Sequence, residues 1–220
     1  MESLTGASGN LATDRVVKAV PDGYTLLMAA FGMIVVNPHL YKKLPFDPVS
    51  DLAPVSQVGF TPNILVVPNE LPAKTVDDVV RLARAEPGKL TFGSGGVGSS
   101  NHLCGELFKS LAQVDIRHVP YRGVAQAIPD LLGGRLSMLF GNAPNVAPLV
   151  RDGKLRGLAV TSLKTSSVAP NLPTMAEAGF PAFNVTTWFG LLAPRGTPQN
   201  IIDKLHHETG KAAALPIVLF

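Results

Sequence analysis

Apolar and polar residues along the first third of the chain predict a few short elements without a regular rhythm. Asn10 is predicted to cap a helix over LATDRVVKAV, which stops at the turn-forming Pro21-Asp22-Gly23. YTLLMAA is typical of a buried strand, and NPHLYKKLPFDPVSDLAP is rich in Pro and Asp and is predicted to be irregular. VSQVGF and ILVVP then predict two further strands.

A regular alternation of helices and strands begins at Thr75. Thr75 and Asp78 have the spacing of a capping box ahead of VDDVVRLARA, and Pro87-Gly88 is expected to end that helix. LTFGS, IRHVPY, LSMLFG and LRGLAVTS predict strands, and the segments between them predict helices, the first from about Ser100 to Leu111. This alternation predicts β-α-β units and a mainly parallel sheet.

The last part of the chain predicts one more strand and one more helix. VAPNLPTMAEAGFPAF is a Pro-rich connection, and VTTWFGLLAP follows it as a strand-like segment. The final helix is expected to begin near Thr197-Pro198, with proline in its first turn.

Composition excludes several classes of protein. A length of 220 residues allows one large or two small domains, and 46% hydrophobic residues suit a globular core. The apolar runs LLMAAF and ILVV are too short to cross a bilayer. The net charge is +3, the 19 Lys and Arg are scattered, and aromatic residues are few, so nucleic acid is not an expected partner. Cys104 is the only cysteine, which excludes an intramolecular disulfide.

The segment TFGSGGVGSSNHL contains the spacing G-x-G-x-x-G at Gly93, Gly95 and Gly98. This spacing occurs in dinucleotide-binding loops, which also need a long preceding strand and an acidic residue at the end of the next strand. Here only LTF precedes the loop, and the next strand ends at Pro120-Tyr121-Arg122. Because Arg122 could meet the phosphate of an NADP ribose, an NADP-dependent oxidoreductase remains the alternative hypothesis.

The same segment is also suited to holding an anion. Its glycines allow the backbone to approach a ligand closely, and Ser99 and Ser100 stand where a helix begins. Free amide groups and the positive end of the helix dipole would then face a carboxylate or phosphate. In the other interpretation, one serine only caps the helix and the glycines form a tight turn.

Other patterns offer no catalytic or metal site. The chain has no G-x-S-x-G nucleophile elbow, and His206 and His207 are adjacent and so face different directions on a helix. His102 is expected to pack or cap, and Cys104 to be a small buried residue. These patterns therefore contain no assembled catalytic constellation.

The order and spacing of longer segments resemble the substrate-binding proteins of tripartite tricarboxylate transporters, the Bug family. The segments that carry the resemblance run almost end to end: GASGNLATDRVVKAVPDGYTLLMA, NPHLYKKLPFDPVSDLAPVSQVG, PGKLTFGSGGVGSSNHLCGELF, HVPYRGVAQAIPDLLGGRLSMLFGN, GKLRGLAVTS, PTMAEAGFP and WFGLLAPRGTP.

The resemblance implies a fold of the periplasmic-binding-protein type (type 2), with two α/β domains that close on a ligand like a flytrap. The first domain would comprise residues 1–68 and 186–220, and the second residues 69–185. The implied function is to bind a small organic carboxylate in the periplasm and deliver it to the membrane components of a tripartite transporter. Such a protein is expected not to be an enzyme and to have no cofactor and no metal.

The resemblance also implies which residues face the ligand. From the second domain, Ser94, Gly98, Ser99 and Ser100 would hold one carboxylate, with Arg122 and Asn142 adding polar contacts. The first domain would contribute Gly9, Asn10, Phe31 and Gly32.

The chain departs from the family pattern at three places. It starts near GASGN and stops at KAAALPIVLF, so we expect a truncated chain whose first domain lacks its N-terminal β-α-β segment. The opening MESLTGASGN has no signal-peptide pattern, although the family is periplasmic. Gly141 stands where an acidic residue is common in the family, which predicts that a ligand amine would lack a partner.

Overall fold

The computed structural model describes residues 2, 4 and 6–214. Residues 215–220, which the sequence analysis assigned to the first domain, lie outside the described residues. The strands are β1 (Leu27–Ala30), β2 (Leu52–Pro68), β3 (Thr91–Ser94), β4 (Arg117–Pro120), β5 (Met138–Asn142), β6 (Leu155–Val160) and β7 (Thr186–Pro194). The α-helices are α1 (Asn10–Val17), α2 (Asn37–Leu40), α3 (Val76–Ala85), α4 (Ser100–Ala112), α5 (Val124–Leu132), α6 (Ala143–Arg151) and α7 (Gln199–Ala213).

The chain divides into two compact units. Unit 1 comprises Met1–Phe60 and Trp188–Phe220, and unit 2 comprises Thr61–Thr187. The changes of domain are expected from the sequence after residues 68 and 185, whereas the compact units meet inside β2 and β7.

The sheet of unit 2 has the strand order β6-β2-β5-β3-β4. β3 lies parallel to both β4 and β5, as the helix-strand alternation predicts. β2 runs antiparallel to β5 and to β6, so the prediction of a mainly parallel sheet is corrected to a mixed one. The alternation of helices and strands along the chain does not determine whether β2 runs parallel or antiparallel to its neighbours. That depends on which strands lie beside β2 in the sheet.

Unit 2 buries apolar side chains on both faces of this sheet. Alternate residues of β2 enter different hydrophobic clusters, Leu65 the one beneath α3 and α4, and Ile64 the one beneath α5 and α6. Both side chains are fully buried. The sheet is therefore covered by helices on both sides, as expected of an α/β unit.

Unit 1 is built around β1, β7 and the first half of β2. β1 pairs antiparallel with β7, with Leu27 opposite Leu192 and Ala30 opposite Phe189. Its hydrophobic clusters are small, and one of them consists of Val55, Ala193 and Ile202 with a few half-buried neighbours.

Three local predictions for unit 1 and its boundary differ from the structure. VSQVGF and ILVVP belong to one continuous strand, β2, because Gly59 and Pro62 do not interrupt its extended backbone. NPHL is helical, since Pro38 occupies the first turn of α2, where its missing N–H costs nothing. Asn10 is the first residue of α1 rather than its cap, and Gly9, with φ +88°, precedes it.

The capping box predicted at the start of α3 is confirmed. Thr75 Oγ1 accepts a hydrogen bond from Asp78 N at 3.1 Å, and the Asp78 carboxylate accepts one from Thr75 N at 3.0 Å. These bonds satisfy two amide groups that a helix N-terminus leaves without partners.

Within the described residues, no helix is long and apolar enough to span a membrane.

Candidate ligand-binding site

The loop between β3 and α4 (residues 95–99) ends in a helix cap; it is named the ligand loop because the family resemblance implies that its residues face a ligand. Ser99 is the capping residue: its Oγ accepts a hydrogen bond from His102 N at 3.3 Å and donates one to Gly96 O at 2.7 Å. Gly96 and Gly98 have φ values of +119° and +86°, which residues other than glycine rarely adopt. The glycines therefore permit the turn that brings Ser99 into the capping position.

Two backbone amides at the start of α4 point out of the helix and have no acceptor among residues 2, 4 and 6–214. Within the described part of the chain, no hydrogen-bond acceptor is found for the N–H groups of Ser100 and Asn101. Both lie in the first turn of a 13-residue helix, where the helix dipole is positive. The pair is a ready anion-binding group.

The starts of three helices meet at this edge of the sheet. α4, α5 and α6 follow β3, β4 and β5, which run in one direction, so the three helices begin at the same edge. A Cβ atom on Gly95 would lie 3.2 Å from the Val124 backbone nitrogen, at the start of α5. The close approach of these helix starts adds to the positive potential there.

Asn101 anchors the start of α4 to the sheet. Its buried Nδ2 lies 2.6 Å from Phe140 O, 3.2 Å from Asn63 Oδ1 and 3.3 Å from Asn142 Oδ1. Phe140 and Asn142 belong to β5 and Asn63 to β2, so the contacts tie α4 to two strands. Because the amide nitrogen is buried, losing these acceptors would cost more than losing an exposed bond.

Asn142 connects two hydroxyl groups near the free amides. Its Nδ2 donates to Ser100 Oγ at 3.5 Å and to Thr187 Oγ1 at 3.4 Å. Since both hydroxyl oxygens accept here, their own protons remain available to a ligand. Ser100 and Asn142, two of the predicted site residues, are thus brought together, and Thr187 joins them.

Ser94 and Gly98 support the ligand loop from within. Ser94 is fully buried, and its Oγ lies 2.6 Å from His118 Nε2 and 3.1 Å from Gly96 N, which donates to it. Gly98 N donates to His102 Nδ1 at 3.2 Å. Burial lowers the pKa of His102, and it lowers the pKa of His118 to about 4.

The remaining predicted residue of unit 2, Arg122, is exposed after β4. It forms no hydrogen bond or ion pair with any residue in the described ranges, so the structure does not join it to the cluster around Ser100.

The predicted residues of unit 1 lie around the start of α1 and the helical segment after β1. Asn10 is buried, and its Oδ1 accepts a hydrogen bond from Asn37 Nδ2 at 2.7 Å. Gly9 accepts a hydrogen bond from Thr13 Oγ1 at 3.1 Å. Phe31 is half-buried, and the buried Gly32 begins a π-helical turn that ends at Val36.

Gly141 does not open a position in this polar cluster. A Cβ atom there would lie 2.3 Å from Val146 Cγ1, inside the hydrophobic cluster beneath α5 and α6. A side chain at residue 141 would therefore point into the hydrophobic cluster. The expectation that a ligand amine lacks a partner because residue 141 is not acidic is not supported.

The first glycine of the dinucleotide-type motif has a packing role. A Cβ atom on Gly93 would lie 2.7 Å from Leu136 Cδ1 and 3.3 Å from Ala127 Cβ, so glycine allows these side chains to pack closely against β3. Among the residues that the structure describes, no group of three or more His, Cys, Asp or Glu side chains is placed to hold a metal ion.

Sequence reasoning missed four polar residues of the cluster, namely Asn63, Asn101, His118 and Thr187. Asn63 is one polar residue at the start of the apolar run ILVV, and Asn101 directly follows the two predicted capping serines. A polar residue within a buried strand was the available signal, since such a group needs a hydrogen-bond partner.

Comparison with known protein families decides the classification. The family model described as "Tripartite tricarboxylate transporter family receptor" matches residues 1–219. The chain belongs to this family. The predicted resemblance is thus confirmed, and BugT of Bordetella pertussis is 37% identical over 213 residues, covering 96% of this chain and 65% of BugT. The chain spans about 65% of the length of the curated relatives that it matches first.

Solved relatives have the same fold. A protein of R. palustris solved with adipate is 38% identical, with a TM-score of 0.93 over 97% of this chain and 71% of that one. MatC from Rhodopseudomonas palustris, with bound malate, is 32% identical, with a TM-score of 0.90 over 97% of this chain and 72% of MatC. The predicted α/β binding-protein fold is confirmed, with the sheet direction corrected as above.

Proposed function

We propose that this chain binds a small organic carboxylate at the start of α4. One carboxylate group accepts hydrogen bonds from the backbone N–H groups of Ser100 and Asn101. It also accepts hydrogen bonds from the hydroxyl groups of Ser100 and Thr187. Asn142 holds the two hydroxyl oxygens in place. The observation that carries the proposal is the pair of amides, without acceptors among the described residues, beside these hydroxyl groups.

The chemistry of the cluster favours an anion over a cation. The amides of Ser100 and Asn101 and the hydroxyl groups of Ser100 and Thr187 are neutral donors, and the helix starts add positive potential. The nearest titratable rings, His102 and His118, have lowered pKa values because of burial, and so are neutral at pH 7. The ligand is therefore held by hydrogen bonds to its charged oxygens, which are stronger than bonds between neutral groups.

Two relatives support the class of ligand. The R. palustris protein and MatC, with adipate and malate respectively, both carry dicarboxylates. We extend this class to the present chain and propose a periplasmic receptor that is not an enzyme. Gly9, Asn10, Phe31 and Gly32 of unit 1 would contact the far end of the ligand, and Arg122 would add a contact after movement of its exposed side chain. Closure of the two units over the ligand and delivery to the membrane components of a tripartite transporter complete the proposal.

Titration of the full chain tests the class of ligand. Adipate, malate and NADPH are added separately while binding is followed by calorimetry and by the fluorescence of Trp188, the only tryptophan of the chain. Trp188 directly follows Thr187, so its emission is expected to change on binding. Binding of adipate or malate without binding of NADPH supports the proposal. Binding of NADPH alone supports the oxidoreductase alternative and contradicts the proposal.

A pair of serines on α4 locates the site. Ser100→Ala removes one charge-assisted hydrogen bond, which is worth about 1.5–3 kcal/mol, so affinity is expected to fall about tenfold or more. Ser110→Ala is the matched control, because Ser110 is exposed near the other end of the same helix. Equal affinities of the two variants would remove the start of α4 from the proposed site.

A further inference from the structure

Two imidazole rings lie directly beneath the ligand loop. The ring centroids of His102 and His118 are 4.3 Å apart, and His118 also stacks on Phe92 at 4.9 Å. His118 Nε2 contacts Ser94 Oγ at 2.6 Å, and His102 Nδ1 accepts the amide of Gly98 at 3.2 Å. Each ring therefore supports one end of the loop that leads into the start of α4, where the proposed site lies.

The contact with Gly98 specifies the protonation state of His102. A backbone N–H group can only donate, so the Nδ1 atom that faces it must carry a lone pair. The neutral ring therefore has its proton on Nε2. Protonation of His102 would place an N–H group opposite the N–H group of Gly98, and two donors cannot form a hydrogen bond.

We propose that His102 is a positioning residue for the carboxylate site: its unprotonated Nδ1 holds the Gly98 amide, and protonation of the ring releases the ligand loop and weakens binding at acidic pH. This inference rests on the proposed function. It assigns no contact between His102 and the ligand, because its effect passes through Gly98 and the cap at Ser99.

The groups around His102 place its titration at acidic pH. Burial is the largest cause that lowers its pKa, and Lys109 on α4 acts in the same direction, while Glu106 on α4 opposes them. The same groups act on His118 of β4, whose pKa is further lowered by His102. From β3, the residues that face the rings are Phe92 and Ser94, which carry no charge. The ring of His102 is thus neutral at pH 7 and gains its proton below the usual histidine range.

Two opposing effects on an anion follow from that proton. A positive charge near the site attracts a carboxylate, whereas loss of the Gly98 contact displaces the loop that presents the amides of α4. Loss of one neutral hydrogen bond of this kind is expected to lower the affinity for the ligand about three- to tenfold. The direction of the change in affinity therefore separates the two effects.

A variant that keeps the acceptor but cannot titrate provides the test. In His102→Asn, the amide oxygen lies at the same bond distance from Cβ as Nδ1 and accepts the Gly98 amide at every pH. His102→Leu fills similar space without an acceptor. The probe is adipate, measured by calorimetry from pH 7.5 to below the midpoint of the His102 ring, which nuclear magnetic resonance locates. All three chains are measured, so that protonation of adipate itself affects each chain equally.

We expect the affinity of the unmodified chain to fall by about three- to tenfold more than that of His102→Asn over this range. His102→Leu is expected to bind more weakly than both at pH 7.5. Identical pH profiles for the unmodified chain and His102→Asn would overturn the proposal. A relative gain of affinity at low pH would overturn it too, because attraction by the charge would then dominate.

Nuclear magnetic resonance of the ligand-free chain tests the inference independently of adipate. The amide resonance of Gly98 should shift with the same midpoint as the His102 ring in the unmodified chain and in His118→Gln, but not in His102→Asn. Nitrogen spectra of the His102 ring should show an unprotonated Nδ1 at pH 7.5, which needs no variant to fold. Failure of all chains to bind adipate would contradict the proposed function alone, whereas an untitrated Gly98 amide or a protonated Nδ1 would contradict the role of His102.

Discussion

Units 1 and 2 differ in how deeply they bury their apolar residues. Unit 2 has two extensive hydrophobic clusters, one on each face of its sheet, whereas the clusters of unit 1 are built around few buried residues. Unit 1 also exposes large apolar side chains, among them Tyr24 at 93% and Phe60 at 74%. Because apolar burial dominates folding energetics, the difference indicates that most of the stability resides in unit 2, which also carries the free amides of α4.

The difference extends to the backbone. Each unit has a glycine-rich turn before a helix, but in unit 1 Ala7 and Ser8 themselves adopt positive φ values of 46° and 53°. In unit 2 the corresponding loop reserves positive φ for Gly96 and Gly98. Non-glycine residues in this region are strained and depend on their surroundings. The ligand loop of unit 2 is therefore the better preorganised of the two turns.

Matched leucine substitutions should show the largest effect. Leu139→Ala empties a fully buried position in unit 2 and is expected to lower the free energy of unfolding by about 3–5 kcal/mol, whereas Leu27→Ala in unit 1 should cost about 2–3 kcal/mol. Urea unfolding followed by circular dichroism measures both. An equal or larger cost for Leu27→Ala would break the comparison.

Hydrogen exchange should rank the strands next. β5 pairs with both β2 and β3, whereas β1 pairs only with β7 within the described residues. Amides of residues 27–30 are therefore expected to exchange about a hundredfold faster than those of residues 138–140, a difference of about 2.7 kcal/mol in opening free energy. Mass spectrometry of peptic fragments provides the rates. Equal protection would mean that unit 1 is as stable as unit 2 despite its smaller clusters.

Acid should destabilise unit 2 through His118. Its pKa is lowered mainly by burial, from 6.5 to about 4, so the unfolded chain binds the proton more readily. Its contribution to stability is thus complete above about pH 6.5 and is lost as pH falls toward 4. Because the ring is partly exposed, we expect a loss of only about 1–2 kcal/mol relative to His118→Gln, which can still contact Ser94. Parallel pH dependence of unfolding in the two chains would contradict this assignment.

Removal of a helix cap should have the smallest effect. Thr75→Ala breaks the capping box of α3 in unit 2 and is expected to cost about 1 kcal/mol, while Thr75→Ser keeps the hydroxyl group and should cost less. Thermal unfolding of the two variants gives the difference. If the alanine variant is as stable as the serine variant, the cap does not contribute to the stability of unit 2.

Ser100 and Asn142 of the polar cluster were identified from the sequence as candidate site residues, whereas Asn63, Asn101 and Thr187 were missed. Ser99 and the glycines were identifiable because helix caps and positive φ values depend on a few adjacent residues. The bonds of Asn101 to Asn63 and Asn142 join residues 38 and 41 positions apart. Such contacts depend on which strands are neighbours in the sheet. The local pattern of polar and apolar residues does not indicate which strands will be neighbours.

The sequence by itself determined the alternation of helices and strands in unit 2, the capping box of α3, and membership of the family. These features follow from local propensities or from the order of motifs along the chain. Only the tertiary structure decided that β2 runs continuously and antiparallel between β5 and β6, and that His102 meets Gly98 while His118 meets Ser94. The physical reason is that the pairing of strands creates these contacts, and strand pairing is chosen by the packing of the whole unit.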